Sequence, residues 1–332
     1  MKKKRTILIA ALIMVLTVTM ALPGVGYAAE EYDPTKPSFQ QESDNGVTEE
    51  NTQTQVQEEE ITSSESTAEV EPATETETTT EAKTEPVYKG TNAKKIPVIT
   101  YHRLCSDAEK RMRANKKDSL FISVSVFEKQ MAWLSARGYR TISTEEFYKW
   151  RTGRISLPPK SVLITFDDGI YSIVKYGVPV LKKYNMKATM FIIGKNIKPV
   201  TNRKANSRGR YCCIGQDVIN EVTADYPDFE FQSHTYNMHR KIKKKPALTK
   251  TSKGAQISDF TTMYKKYGYT VMAYPYGKYT NKTIAAAKAS HVKMAFTYGT
   301  NAYATKKQSI YKIKRIKISG TQSMKKFYRW FK

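Results

Sequence analysis

The sequence predicts an α/β protein whose strands close, or nearly close, into a parallel barrel. Two observations predict it. Strand-like and helix-like patterns alternate through residues 88–332, a length that holds about six to eight βα units. The side chains with the most chemistry (His102, Asp167 with Asp168, His234 and the YPYG stretch) all fall at the C-terminal ends of those strands. Barrels of this kind place their active groups there.

The elements follow in order. IPVITYH is an apolar run with a first strand's pattern. Ser125 and Glu128 have the spacing of a capping box, and the helix VFEKQMAWLSARG stops at Gly138. Ser143 and Glu146 repeat the box ahead of FYKW. SVLITF is a strand and VKYGVPVLKKYN a helix in spite of Pro179. ATMFII is a strand, GQDVINEVTADY a helix and FEFQSH a strand. ISDFTTMYKKYG, TVMAYPYG, NKTIAAAKAS and VKMAFTY continue the alternation as helix, strand, helix, strand. IYKIKRIKIS alternates with period two and is expected as a last strand.

Two segments precede this part. Residues 1–29 join a basic start, MKKKR, to an apolar run of about 17 residues and a small-residue site ending at Ala28. They are expected to be an export signal, which makes the protein secreted and associated with the cell surface or wall. The only membrane contact expected is through that segment, if it stays uncleaved. Residues 30–87 carry 17 acidic residues and two Lys, and from Glu49 to Pro86 hold no aromatic residue. Such a stretch buries too little surface to fold and reads as a disordered acidic linker rich in Thr and Glu.

The linker hides the charge of the remainder. The whole chain carries +24, whereas residues 88–332 hold 49 basic and 14 acidic residues, a net +35. Such a field favours anionic partners, and for an exported protein anionic cell-wall polymers are the expected ones, unless the charge serves solubility alone. Zinc-finger spacing and a basic helix with base-reading residues are both lacking, so nucleic acid is not an expected partner. Three Cys do not form a disulfide scaffold. Cys105 could pair with Cys212 or Cys213 after export; buried free thiols are the expected alternative.

Asp167 and Asp168 end the SVLITF strand and Gly169 follows. Two adjacent carboxylates repel each other unless a positive charge offsets them, and a divalent cation would do so. His234 and His239, in SHTYNMH, complete the ligand types of a hydrolytic zinc site. Their spacing of five places them on no common helix face, so they must converge from a turn.

TFDDG and SHTYNMH together, with 66 positions between Asp168 and His234, resemble the polysaccharide deacetylase family, carbohydrate esterase family 4. The VITYHRL element that leads the domain is similar to that of its poly-β-1,6-N-acetylglucosamine deacetylase branch, whose motifs run in permuted order. The resemblance implies a distorted (β/α) barrel of about seven units in a single catalytic domain, residues 88–332. It implies a hydrolase that removes N-acetyl groups from polysaccharide containing N-acetylglucosamine, either exopolysaccharide or peptidoglycan. It implies a divalent metal, Zn²⁺ above others, held by Asp168, His234 and His239. Asp167 would then be the general base, His102 the general acid and the Tyr276 backbone N–H an oxyanion donor.

The chain also departs from the family. The third motif usually reads RxPYG; here the stretch reads AYPYG, without the Arg, and Tyr274 stands directly ahead of Pro275, Tyr276 and Gly277. Tyr274, Pro275 and Gly277 are carried over as substrate-binding or supporting residues. Arg315, in KIKRIKI, either replaces the missing orienting charge or belongs to a solvated basic strand face. A packing role remains the alternative for His102, and His291 is expected to be structural. An O-acetyl (xylan) esterase of the same family and a non-catalytic wall-binding module are the competing functions.

Overall fold

The computed structural model of the chain describes residues 88–332. The expected export signal, 1–29, and acidic linker, 30–87, lie outside the described residues. Seven parallel strands build the central sheet: β1 Val98–Tyr101, β2 Ser161–Phe166, β3 Ala188–Ile192, β4 Phe229–Ser233, β5 Val271–Ala273, β6 Met294–Phe296 and β7 Ile316–Lys317. Their order is β6-β5-β4-β3-β2-β1-β7, and a short strand Arg140–Thr141 pairs beside the start of β2. The sheet curls into the predicted distorted barrel. The seam between β6 and β7 is held by a single parallel bridge, Phe296 to Ile313, in which the Thr297 N–H donates to Ile313 O at 2.8 Å.

That seam explains why the expected last strand is shortened. Only Ile316 and Lys317 join the sheet, beside Ile99 and Thr100. The residues before them cross the seam: Ile313 bridges to β6, and the Arg315 carbonyl accepts from Asn301 N–H and Thr300 Oγ1. The period-two pattern of IYKIKRIKIS is real, but its backbone serves two neighbours in turn.

Strand alternation sorts the core into two layers. Val98, Leu163, Phe191, Ala273 and Phe296 fill the barrel interior, and Ile313 joins them from the seam. Ile99, Tyr101, Ile164, Phe166 and Met190 face outward against helices. Both faces are buried, so the strands read as continuous apolar runs. Truncating a ring such as Phe191, fully buried, costs about 3–5 kcal/mol.

The helices are α1 Val124–Ala136, α2 Thr144–Arg151, α3 Tyr171–Lys183, α4 Gln216–Asp225, α5 Lys253–Tyr267 and α6 Asn281–Lys288. The Ser143–Glu146 capping box forms. The Ser125–Glu128 box does not. Ser123 is the N-cap of α1, the Ser125 hydroxyl donates to Asp107 at 2.5 Å and Glu128 pairs with Lys183 at 2.6 Å. Tertiary partners take both side chains. A box at Ser106 and Glu109, which the sequence reading missed, caps the short helix Asp107–Arg111. All three Cys are free: Cys105 is buried, Cys213 is half-buried and Cys212, against expectation, is exposed.

Candidate active site and metal centre

Register brings the first pair of site residues together. Tyr101 of β1 lies opposite Phe166 of β2, and the Asp167 N–H donates to Tyr101 O at 3.0 Å. The next residue of each strand is therefore a neighbour of the other, and His102 Nε2 lies 4.0 Å from Asp167 Oδ2. Asp167 continues the inward alternation of Leu163 and Thr165. It is 2 % exposed inside the barrel mouth.

Arg315 meets it there. Its guanidinium donates to both Asp167 oxygens, at 2.8 and 2.7 Å, to Thr165 Oγ1 at 3.3 Å and to Thr297 O at 2.6 Å. It is fully buried between the Phe191 and Phe296 rings. The solvated strand face is thereby excluded for this residue. Burial alone would raise the Asp167 carboxyl; the Arg315 charge and hydrogen bonds, together with His234 and His102, outweigh it and hold Asp167 below the usual carboxylate range.

Asp168 turns away from its neighbour. Its φ is +75° and that of Gly169 is +74°. A Cβ on Gly169 would stand 2.3 Å from Ile192 Cγ2, so this turn needs glycine. The turn carries the Asp168 carboxylate to the histidines: Oδ1 lies 3.6 Å from His234 Nε2 and 3.3 Å from His239 Nε2. The three ligand atoms lie within 4.8 Å of one another.

The histidine loop is fixed from several sides. His234 N–H donates to Ile192 O at 2.8 Å, and its Nδ1 lies 2.8 Å from Ala273 O. A carbonyl only accepts, so Nδ1 carries the proton and Nε2 offers its lone pair towards Asp168. Thr235, at φ +70°, reverses the chain. Asp259, on α5, accepts the N–H groups of Tyr236 and Asn237 at 2.8 and 2.7 Å. Five-residue spacing thus converges through a turn that is anchored by a buried carboxylate.

Burial pulls His234 down to about 4, which keeps it neutral and suited to a metal. Burial also lowers His239, but the Asp168 hydrogen bond and charge, with the Asp167 charge, together outweigh it and the net shift is upward. Burial opposes ionisation of Asp168, and the His239 hydrogen bond leads the interactions that hold it low. Burial lowers His102 below its ordinary value. Two imidazoles, one with its second nitrogen anchored to a carbonyl, and one carboxylate suit a hydrolytic zinc site with an open position.

The third motif closes the site. Tyr276, at φ +57°, sets its ring tilted against that of His239, with centroids 4.6 Å apart. Pro275 is buried, and Gly277, at φ +64°, packs where a Cβ would meet the Tyr298 N at 2.6 Å. Tyr274 takes another place. Its ring is fully buried in the outer core beside Tyr279 and its hydroxyl donates to Tyr311 O at 3.1 Å. It supports the motif from behind, and as a substrate contact it is corrected. Strand alternation explains this, since Met272 and Tyr274 share one face and Ala273 the other.

Comparison with known proteins agrees with this geometry. The Polysaccharide deacetylase family model matches residues 154–295. A protein of Bacillus subtilis (strain 168) that bears a polysaccharide deacetylase name is 29% identical over 246 residues, 73% of this chain and 78% of its own. The poly-β-1,6-N-acetyl-D-glucosamine N-deacetylase of Staphylococcus aureus (strain MRSA252) is 31% identical over 222 residues, 63% of this chain and 71% of its own. The chain belongs to the polysaccharide deacetylase family. The structure of the Streptococcus pyogenes deacetylase PplD in complex with acetate shares the fold, with a TM-score of 0.59 at 24% identity over 73% of this chain and 100% of that one.

As a polysaccharide deacetylase the protein is a deacetylating hydrolase of polysaccharide. Within that family's site, sequence reasoning missed three residues. Asp259 carries the histidine loop but sits in a plain amphipathic helix, where no motif marks it. Thr297 offers only its carbonyl to Arg315, which no side-chain pattern could reveal. Tyr298 packs on His102 with centroids 4.9 Å apart, and its hydroxyl is buried without a hydrogen-bond partner. Its place right after β6, at the catalytic end of a strand, was the signal available. His291 stacks on Tyr264 at 3.8 Å, a packing role as expected.

Proposed function

We propose that this polysaccharide deacetylase is a secreted, metal-dependent enzyme that removes N-acetyl groups from polysaccharide containing N-acetylglucosamine, either exopolysaccharide or peptidoglycan. The observation that carries the reading is Asp167: a buried carboxylate held ionised by a bidentate arginine, beside both a His–His–Asp donor set and His102. A divalent ion held by Asp168, His234 and His239, zinc by donor type, would supply Lewis acidity at the acetamide carbonyl.

The protein's own residues divide the remaining work. Asp167 accepts the proton of the attacking water as oxygen bonds to the carbonyl carbon. The Tyr276 backbone N–H donates to the oxyanion, and the ring packed against His239 holds that backbone beside the donor set. His102 gives its proton to the amide nitrogen as the carbon–nitrogen bond breaks, leaving acetate and a free amine. Because burial lowers its pKa, protonated His102 releases that proton readily.

The signal-like residues 1–29 support export to the cell surface, and the +35 of residues 88–332 supports retention by anionic wall polymers. The test is acetate release from poly-β-1,6-N-acetylglucosamine and from peptidoglycan, with Zn²⁺ and with chelator. Metal-dependent release from one polymer, lost in Asp167→Asn and in His102→Ala, is expected. Release from acetylated xylan alone would move the reading to the O-acetyl esterase.

A further inference from the structure

A two-stranded hairpin projects immediately after the metal-site loop. Lys241–Ile242 pairs antiparallel with Lys245–Pro246, and Lys243 and Lys244 form the turn between them. The run from Arg240 to Lys245 holds five basic residues, all exposed, and no salt bridge reaches any of them among the described residues. The hairpin is seated on the site: Ala247 and Leu248 anchor its base in the core, and Lys241 Nζ lies 5.9 Å from the Tyr276 ring that packs against His239.

The turn's backbone is informative. Lys243 and Lys244 have φ of +49° and +63°, the left-handed pair that a two-residue hairpin turn requires. Asn-Gly fills such a turn without strain; two lysines are a poor choice for folding alone. They also add like charge to like charge. The chain around it is as one-sided: residues 231–332 hold 23 basic residues and one acidic residue, Asp259, whose oxygens are committed to the histidine loop. Lys278, next to Gly277 of the third motif, is exposed as well.

We propose that this hairpin is a subsite for an anionic group, phosphate or carboxylate, borne on the same polysaccharide as the N-acetylated sugar. The inference rests on the deacetylase reading and narrows its substrate to an anionic glycan. The turn lysines are four and five residues beyond His239, at most about 18 Å of extended chain, so the group recognised lies on a neighbouring sugar.

The test uses the full chain and the variant Lys243→Asn/Lys244→Gly/Lys245→Thr, which removes three charges and installs the preferred turn. Three substrates are compared: a neutral β-1,6-linked N-acetylglucosamine oligomer, an N-acetylglucosamine–glucuronate copolymer, and N-acetylglucosamine glycan strands bearing phosphodiester-linked polymer. The wild type is expected to favour one anionic substrate. The variant is expected to raise KM on it about 10- to 100-fold at similar kcat, as 0.5 M NaCl does in the wild type (about an order of magnitude or more being the usual scale of such steering). The preferred polymer tells carboxylate from phosphate.

An equal loss on all three substrates would make the hairpin a structural prop and overturn the proposal. A gain on the neutral oligomer would mean that the hairpin holds the chain's own acidic residues 30–87, which overturns it too. Polymer binding is read separately by fluorescence anisotropy with Asp167→Asn. If no substrate releases acetate yet the triple substitution abolishes anionic binding, the deacetylase reading fails while the subsite stands.

Discussion

Replacing Arg315 with Met tests the centre of the site. The substitution keeps much of the side-chain volume between Phe191 and Phe296 and removes both hydrogen bonds to Asp167. Asp167 is then a buried carboxylate without its partner, which costs about 3–5 kcal/mol. For a domain of this size that is a fall in Tm of about 6–20 °C. The pH dependence should reverse sign. In the wild type the Asp167 pKa is lowered on folding, so the group contributes stability above the ordinary carboxylate range and loses it as pH falls through the folded value. In Arg315→Met, burial, the largest influence, is opposed only by His234 and His102 and raises that pKa, so the group destabilises the fold at pH 7 and ceases to do so in acid. The acid limb of the activity profile should move upward in the same variant, because the base must be ionised. Adding Asp167→Asn should recover much of the lost stability while abolishing activity, a coupling that is read by the double-mutant cycle. Urea unfolding at pH 5 and pH 7, with acetate release across the same range, measures all of it. An Arg315→Met protein with wild-type stability and an unmoved acid limb would refute the pairing.

Other outcomes follow from neighbouring contacts. Asp259→Ala should weaken metal affinity about 10- to 100-fold by freeing the Tyr236 and Asn237 N–H groups, as competition with a chelating dye would show. Burial raises Asp259 to about 6, so the native state holds a proton that the unfolded chain releases near pH 4. Stability should fall by about 3 kcal/mol as pH rises through that window, and the Ala variant should lack the slope. Gly169→Ala forces a left-handed backbone and a 2.3 Å approach to Ile192. About 2–5 kcal/mol of destabilisation is expected by thermal melting, with metal affinity reduced alongside. If protonated His102 is the acid, the alkaline limb of kcat/KM should lie below the ordinary 6.5, because burial lowers that residue. A limb above 6.5 that survives in His102→Gln would assign the acid elsewhere.

Much of this was legible in the sequence, for a physical reason. Strand and helix periods show where βα units run, and chemistry at strand ends is local to the motif that carries it, so Asp167, Asp168, His234 and His239 could be read directly. Tyr274 and Arg315 show the limit. Tyr274 sits inside a motif yet faces outward, because alternation along β5 decides its direction whatever the motif suggests. Arg315 sits in a stretch that looks like an exposed basic strand, and only closure of the barrel turns it inward. Closure is a property of the whole sheet, and no window of sequence holds it. The Ser125 box failed similarly: Asp107 and Lys183, both distant in sequence, claim its two side chains.

The paired aspartates can now be understood through the backbone. Two adjacent carboxylates on one strand end would repel if they shared a field. They do not share one. Asp167 obeys the strand and points inward, where Arg315 neutralises it. Asp168 leaves the strand at φ +75° and points to two imidazoles. One residue of backbone rotation therefore separates the proposed base, which must remain free to take a proton, from the proposed metal ligand, which must not. The Gly169 turn makes that separation possible, and Arg315 makes it stable. Supplying the arginine from Arg315, while Ala273 stands at the Arg position of the third motif, leaves this division intact, because Asp167 responds to the charge and its geometry and not to the strand that supplies it.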